Sequence, residues 1–191
     1  PQVLQHAGGH EALEQIQSLA TKDASNLDIQ RDVEVGENRM GDAALAMGKL
    51  PEALASYERG LAAAERLAQK DPSNTRWQYD LAHSAGVVAL ARARTGDLIA
   101  ARPLAVKAVA IYEALTSKDT SNAGWQHDLG AARTLVARID AGGPFEGLGP
   151  ASQTQRPEGL RSQDQRPAGE NAKDVMRPQE QRPSPASSPI M

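Results

Sequence analysis

KDPSNTRWQYDL, Lys70 to Leu81, reads as a turn leading into a helix: Asp-Pro and Ser-Asn interrupt one segment, and Trp-Gln-x-Asp-Leu opens the next. The phrase recurs 48 residues later as KDTSNAGWQHDL, Lys118 to Leu129, and 48 residues earlier as KDASNLDIQRDV, Lys22 to Val33. A repeat of roughly 20–50 residues marks a stacked architecture, in which each unit buries its apolar face only against its neighbours.

The stretches flanking the phrase have helical spacing. In residues 27–47, Ile29, Val33, Gly36, Met40, Ala43 and Met47 alternate steps of four and three, which is one face of a helix. Residues 75–95 repeat the pattern with Trp77, Leu81, Ser84, Val88, Ala91 and Thr95, and residues 123–141 with Trp125, Leu129, Ala132, Val136 and Ile139. Partner helices are expected between them: 51–70 with Leu54, Tyr57, Leu61 and Ala64 on one side, and 98–118 with Ala101, Ala105, Ala108, Tyr112 and Leu115. A shorter helix at 10–22 precedes them. Pro51 suits a first helical position, and Lys22, Lys70 and Lys118 suit the last turn of a helix. Pro103 predicts that the helix after Leu98 starts late or bends.

Composition agrees with an all-α chain. Apolar residues make up 40% and aromatic residues only 3%, so Ala and Leu must build the core through close helix packing. The net charge of −3 offers no field for nucleic acid. There is no Cys, which removes disulfides, thiolate metal sites and Cys nucleophiles and fits a reducing, cytoplasmic setting. No apolar run approaches the ~18 residues of a membrane span. The chain opens at Pro1, without an initiator Met, and is expected to be a fragment whose residues 1–9 are a stub.

Composition shifts at Gly142-Gly143-Pro144, beyond which lie eight of the 12 Pro, counting Pro144 itself. Residues 142–191 are expected to be a disordered Pro/Gln/Arg-rich tail, since they hold too little apolar surface to offset the entropy of ordering. Its QTQRP, QDQRP and QEQRP copies at 153–157, 163–167 and 179–183 read as a spacer.

Residues 10–141 resemble tetratricopeptide (TPR) repeats. The similarity is carried by Met40-Gly41, Gly48, Ala53, Tyr57 and Asp71-Pro72, and in the next copy by Val88-Ala89, Gly96-Asp97, Ala101, Ala105 and Asp119. The period of 48 exceeds the usual ~34, and two extra turns on each helix account for the difference. This long-helix form, with WQ-x-DL after DP-S-N, resembles a bacterial type of TPR. The resemblance implies an α-solenoid of antiparallel helix pairs that binds a peptide or partner helix in a concave groove, without an enzymatic step or a cofactor.

Carried onto this sequence, the groove face comprises Arg31, Val35, Asn38, Arg39 and Asp42 on the first groove helix. Tyr79, His83, Val87, Leu90 and Arg94 follow on the second, and His127, Thr134 and Arg138 on the third. Asp42 and Leu90 stand where a clamp for chaperone C-terminal carboxylates would need amide or basic groups. An alternative function is self-assembly, with the last helix leaving an apolar face open to another copy. A remote alternative is a metal-dependent enzyme using the in-register Asp32, Asp80 and Asp128, although a carboxylate early in a helix has a structural use there. His6 and His10 have helical metal-ligand spacing but no carboxylate or Cys partner, and Gly8-Gly9 lies between them. His83 and His127 read as polar groove residues, and Trp77 and Trp125 as packing residues. Phosphate loops, Ser nucleophile elbows and HExxH motifs are absent from the sequence, so no catalytic, cofactor or metal residue is expected.

Overall fold

The computed structural model describes residues 2–23, 25–145 and 147, with side chains from residue 9 onward. It contains six α-helices and, among the described residues, no strand: α1 (Gln2–Lys22), α2 (Leu27–Ala46), α3 (Leu50–Lys70), α4 (Thr75–Arg94), α5 (Leu98–Lys118) and α6 (Ala123–Asp140). The chain is all-α. No described helix is long and apolar enough to cross a membrane. The expected tail lies outside the described residues except for its first residues, 142–145 and 147.

The recurring phrase works the same way each time. Lys22, Lys70 and Lys118 end α1, α3 and α5. Asp71 and Asp119 then each take the hydroxyl of the Ser two residues on, at 2.6 Å, and Asp23 takes that of Ser25 at 2.7 Å. Those bonds hold all three carboxyls below the ordinary aspartate range. Asn26, Asn74 and Asn122 cap α2, α4 and α6, their side-chain oxygens accepting amides of the first turn at 3.1–3.2 Å. The other two turns each use a glycine at positive φ, Gly48 (74°) and Gly96 (86°), to reverse the chain within three residues.

Two expectations are corrected. α1 begins at Gln2 and runs through Gly8-Gly9, so the helix is longer than the expected 10–22. Packing on α2, where Gly9 faces Met40 and Leu13 lies against Gly36, overrides a propensity cost of roughly 1 kcal/mol per glycine. α5 starts at Leu98 with Pro103 inside it, so of the two outcomes expected at this proline, a late start or a bend, the late start is excluded. Pro103 and Ile99 are exposed, which leaves the unpaired Ile99 carbonyl on the solvent side.

Each helix packs on its neighbour in sequence, and α6 also touches α4. One apolar cluster joins Tyr57, Ala64, Tyr79, Ala85, Val88, Tyr112 and Leu129, with partly buried Trp125 packed against it; a second joins Ala89, Ala101, Ala105, Leu135 and Ile139. Tyr79 and Tyr112 meet edge to face at 5.8 Å. The alternating face follows the sequence pattern except at helix ends: Met47 and Thr95 lie beyond α2 and α4 and are exposed.

Polar side chains tie α2 to α4 and α4 to α6, joining positions one residue beyond the 48-residue period. Arg31 Nε donates to Asp80 Oδ2 at 2.8 Å, and Tyr79 Oη donates to Asp128 Oδ2 at 2.8 Å, in each case 49 residues apart. Arg31 and Tyr79 are equivalent repeat positions, as are Asp80 and Asp128. The in-register aspartates thus take a donor from the preceding groove helix. Beneath them Asn38 Nδ2 bridges Glu34 Oε1 (2.6 Å) and Ser84 Oγ (2.9 Å), and Glu37 Oε1 accepts from Gln17 (2.7 Å) and Arg59 (2.7 Å). Glu34, Glu37, Asn38 and Ser84 are buried, a polar set that sequence periodicity does not flag, since Glu on a helix ordinarily faces water.

Candidate functional site

The thirteen expected groove residues divide by burial. Arg31, Asn38, Tyr79, Val87 and Leu90 are buried and hold helices together, so the surface they were expected to offer is interior. Helical spacing correctly puts them on one face; the neighbouring helix covers that face. Val35, Asp42, His83, Arg94 and Arg138 are half-buried, and Arg39, His127 and Thr134 are exposed.

Three helices bring part of this set together. A crevice between α2, α3 and α4 is lined by Leu45, Tyr57, Val87, Leu90, Ala91 and Arg94. Tyr57, on α3, sends its hydroxyl to Asp42 Oδ1 at 2.8 Å. Burial raises the Asp42 carboxyl above the ordinary range, against the opposing pull of the Tyr57 bond and the His83 charge. Burial likewise pushes the Tyr57 phenol up, reinforced by Asp42 and opposed by Arg94. Asp42, Tyr57, His83 and Arg94 therefore form one electrostatic group over an apolar floor.

The crevice is tightly packed and leaves no room for a water molecule between its walls. Leu45 and Tyr57 were not among the expected site residues. The Tyr57 signal was present, since it lies on the apolar face of its helix, but nothing local says that its hydroxyl reaches α2.

At the other groove positions, Thr134 bonds its own helix at Gly130 O (2.9 Å), and Arg138 reaches Pro144 O (3.3 Å). His127 Nδ1 lies 3.2 Å from Asp128 Oδ1. Among the described residues no three His, Asp or Glu side chains are grouped to hold a metal ion. His6 lies outside the described side chains, so the His6–His10 pair does too. No protein-family model, no curated protein and no solved structure matches the chain.

Proposed function

We propose that the chain is a protein-interaction scaffold, in which residues 10–141 form a short α-solenoid of TPR-like helix pairs that binds a peptide or partner helix along the face shared by α2, α4 and α6. The observation that carries this reading is the polar character of what that face leaves accessible: Asp42, His83, Arg94 and Arg138 are half-buried and Arg39, His127 and Thr134 exposed, which suits hydrogen-bonding and charge contacts with a partner chain. The Arg31–Asp80 and Tyr79–Asp128 bonds support the stacking, because they fix successive groove helices with the same repeat positions. Binding involves no covalent step and no cofactor, and the cysteine-free chain suits the cytoplasm of a bacterium. The metal-dependent enzyme is disfavoured, as Asp80 and Asp128 are already engaged.

Selection from a displayed random peptide library on the full chain tests the reading, followed by fluorescence anisotropy with the selected peptide. His83→Ala and Arg94→Glu should weaken binding by about tenfold or more, whereas Lys107→Ala on α5 should not. Failure to select any peptide, or equal binding by all three variants, refutes it. A second reading, self-assembly through the repeat ends, is favoured by Leu19, which is 51% exposed.

A further inference from the structure

The helices fall into two kinds: α2, α4 and α6 occupy the first position of a unit, and α1, α3 and α5 the second. α3 seats against α2, and α5 against α4. α6 is a first-position helix without such a partner among the described residues. The period would place one at 146–166, but EGLGPASQTQRPEGLRSQDQR does not follow the apolar pattern of α3 and α5.

The side chains report the same thing. Ala82, Ala85 and Ala89 on α4 are fully buried, and Glu34, Glu37 and Gly41 on α2 are buried as well. Their α6 equivalents, Gly130, Arg133 and Ala137, are exposed. On the second-position helices, Leu67 and Leu115 are each 1% exposed, yet their α1 equivalent Leu19 is 51% exposed. Ala12, equivalent to buried Gly60 and Ala108, is exposed too. The uncovered faces of α6 and α1 are the two halves of one unit.

We propose that a second copy of this chain supplies the missing half: α1 of one copy seats on α6 of another, continuing the stack head to tail. This rests on the repeat reading above, and three equivalent positions argue that the two faces match. Within one unit, Arg59 Nε meets buried Glu37 Oε1 at 2.7 Å. At the junction these positions are Glu11 and Arg133, the same ion pair with its charges exchanged. Gly41 is bare because the Tyr57 ring fills its space; at the junction Ala137 faces Gly9, so the larger group has moved to the other side. A Cβ on Gly60 would lie 2.7 Å from Asn38 Oδ1, and at the junction shorter Thr134 faces Ala12, leaving room for the methyl. The next groove helix then brings exposed Asp32 to His127, as Asp80 meets Arg31 and Asp128 meets Tyr79.

Because the two surfaces differ, the contact does not close on itself and growth is open-ended. Sedimentation of the full 191-residue chain over a concentration series should show dimers giving way to higher species. Glu11→Arg and Arg133→Glu each place like charges at the junction and should weaken association by about tenfold or more; both sites are exposed, and the Arg133–Glu113 pair (2.8 Å) that the second change removes is an exposed one, so helical circular dichroism should stay unchanged. Mixed in equal amounts, the two variants should recover association by alternating along the stack, because every junction between unlike variants pairs opposite charges at positions 11 and 133. A wild-type chain that stays monomeric, whether residues 146–191 or another protein covers α6, overturns the proposal. So does association that survives both substitutions, or a mixture that associates no better than either variant alone. Neither site touches the α2–α3–α4 crevice, so peptide binding by these variants reports separately on the groove.

Discussion

Gly41→Ala tests whether α2 and α3 approach as closely as the fold requires. A methyl there would run into the buried Tyr57 ring, and Tyr57 Oη already bonds Asp42 at 2.8 Å. Ala in place of Gly gains about 1 kcal/mol of helix propensity. Against this, overpacking costs about 1–3 kcal/mol, and moving the ring weakens a hydrogen bond worth about 1 kcal/mol. The expected net loss is about 2 kcal/mol, a fall in Tm of about 4–8 °C for a chain of this size. Gly86→Ala is the control, because a methyl there meets nothing within 4 Å, and it should stabilise by about 1 kcal/mol. Urea unfolding followed by circular dichroism reads both. Tyr57→Leu should relieve the clash, so the double variant Gly41→Ala/Tyr57→Leu should be more stable than the sum of the singles by about 1–3 kcal/mol. If Gly41→Ala stabilises as much as Gly86→Ala does, or if the double variant is strictly additive, α3 does not lie against α2 as described.

Other substitutions probe the remaining joints. Tyr79→Phe removes the buried donor to Asp128 Oδ2, leaving exposed His127 near the other oxygen, and should cost about 1–3 kcal/mol in urea unfolding, whereas His127→Phe, at the exposed equivalent position, should change stability by less than about 0.5 kcal/mol. Asn74→Ala removes the acceptor for two first-turn amides of α4 and should cost about 1 kcal/mol, visible as a lower thermal midpoint. Asp71 has a lowered folded pKa, so its contribution is present above the ordinary value of 3.8 and is lost as pH falls through the lowered one; Asp71→Asn should flatten that part of an acid titration of stability. Asp42 has the opposite sign, because its folded pKa is raised: stability declines as pH rises from 3.8 through the higher folded value, and Asp42→Asn, which keeps an acceptor for Tyr57, should raise the thermal midpoint at pH 7 and lose that advantage in acid.

The turn chemistry was legible because it is local. Asn26, Asn74 and Asn122 stand before apolar-periodic segments and cap them, and Gly48 and Gly96 sit where a reversal needs positive φ. Pro103 did not delay the start of α5 because its rule is also local: it marks a lost hydrogen bond, and that loss costs little where the freed carbonyl meets water. Gly8-Gly9 likewise did not interrupt α1, since a poor propensity gave way to packing on α2.

Read alone, the chain determined the 48-residue period, the six helical segments, their caps and which residues share a helix face. Those properties depend on residues a few positions apart. Only the tertiary structure decided which faces are covered. Arg31, Asn38 and Tyr79 looked like groove residues, yet they are interior because their partners, Asp80, Ser84 and Asp128, lie 46–49 residues away on another helix. Leu19 is the repeat equivalent of Leu67 and Leu115, yet it is exposed because no first-position helix among the described residues covers it. Burial is a property of the neighbour, and one helix's periodicity does not say whether a neighbour is present.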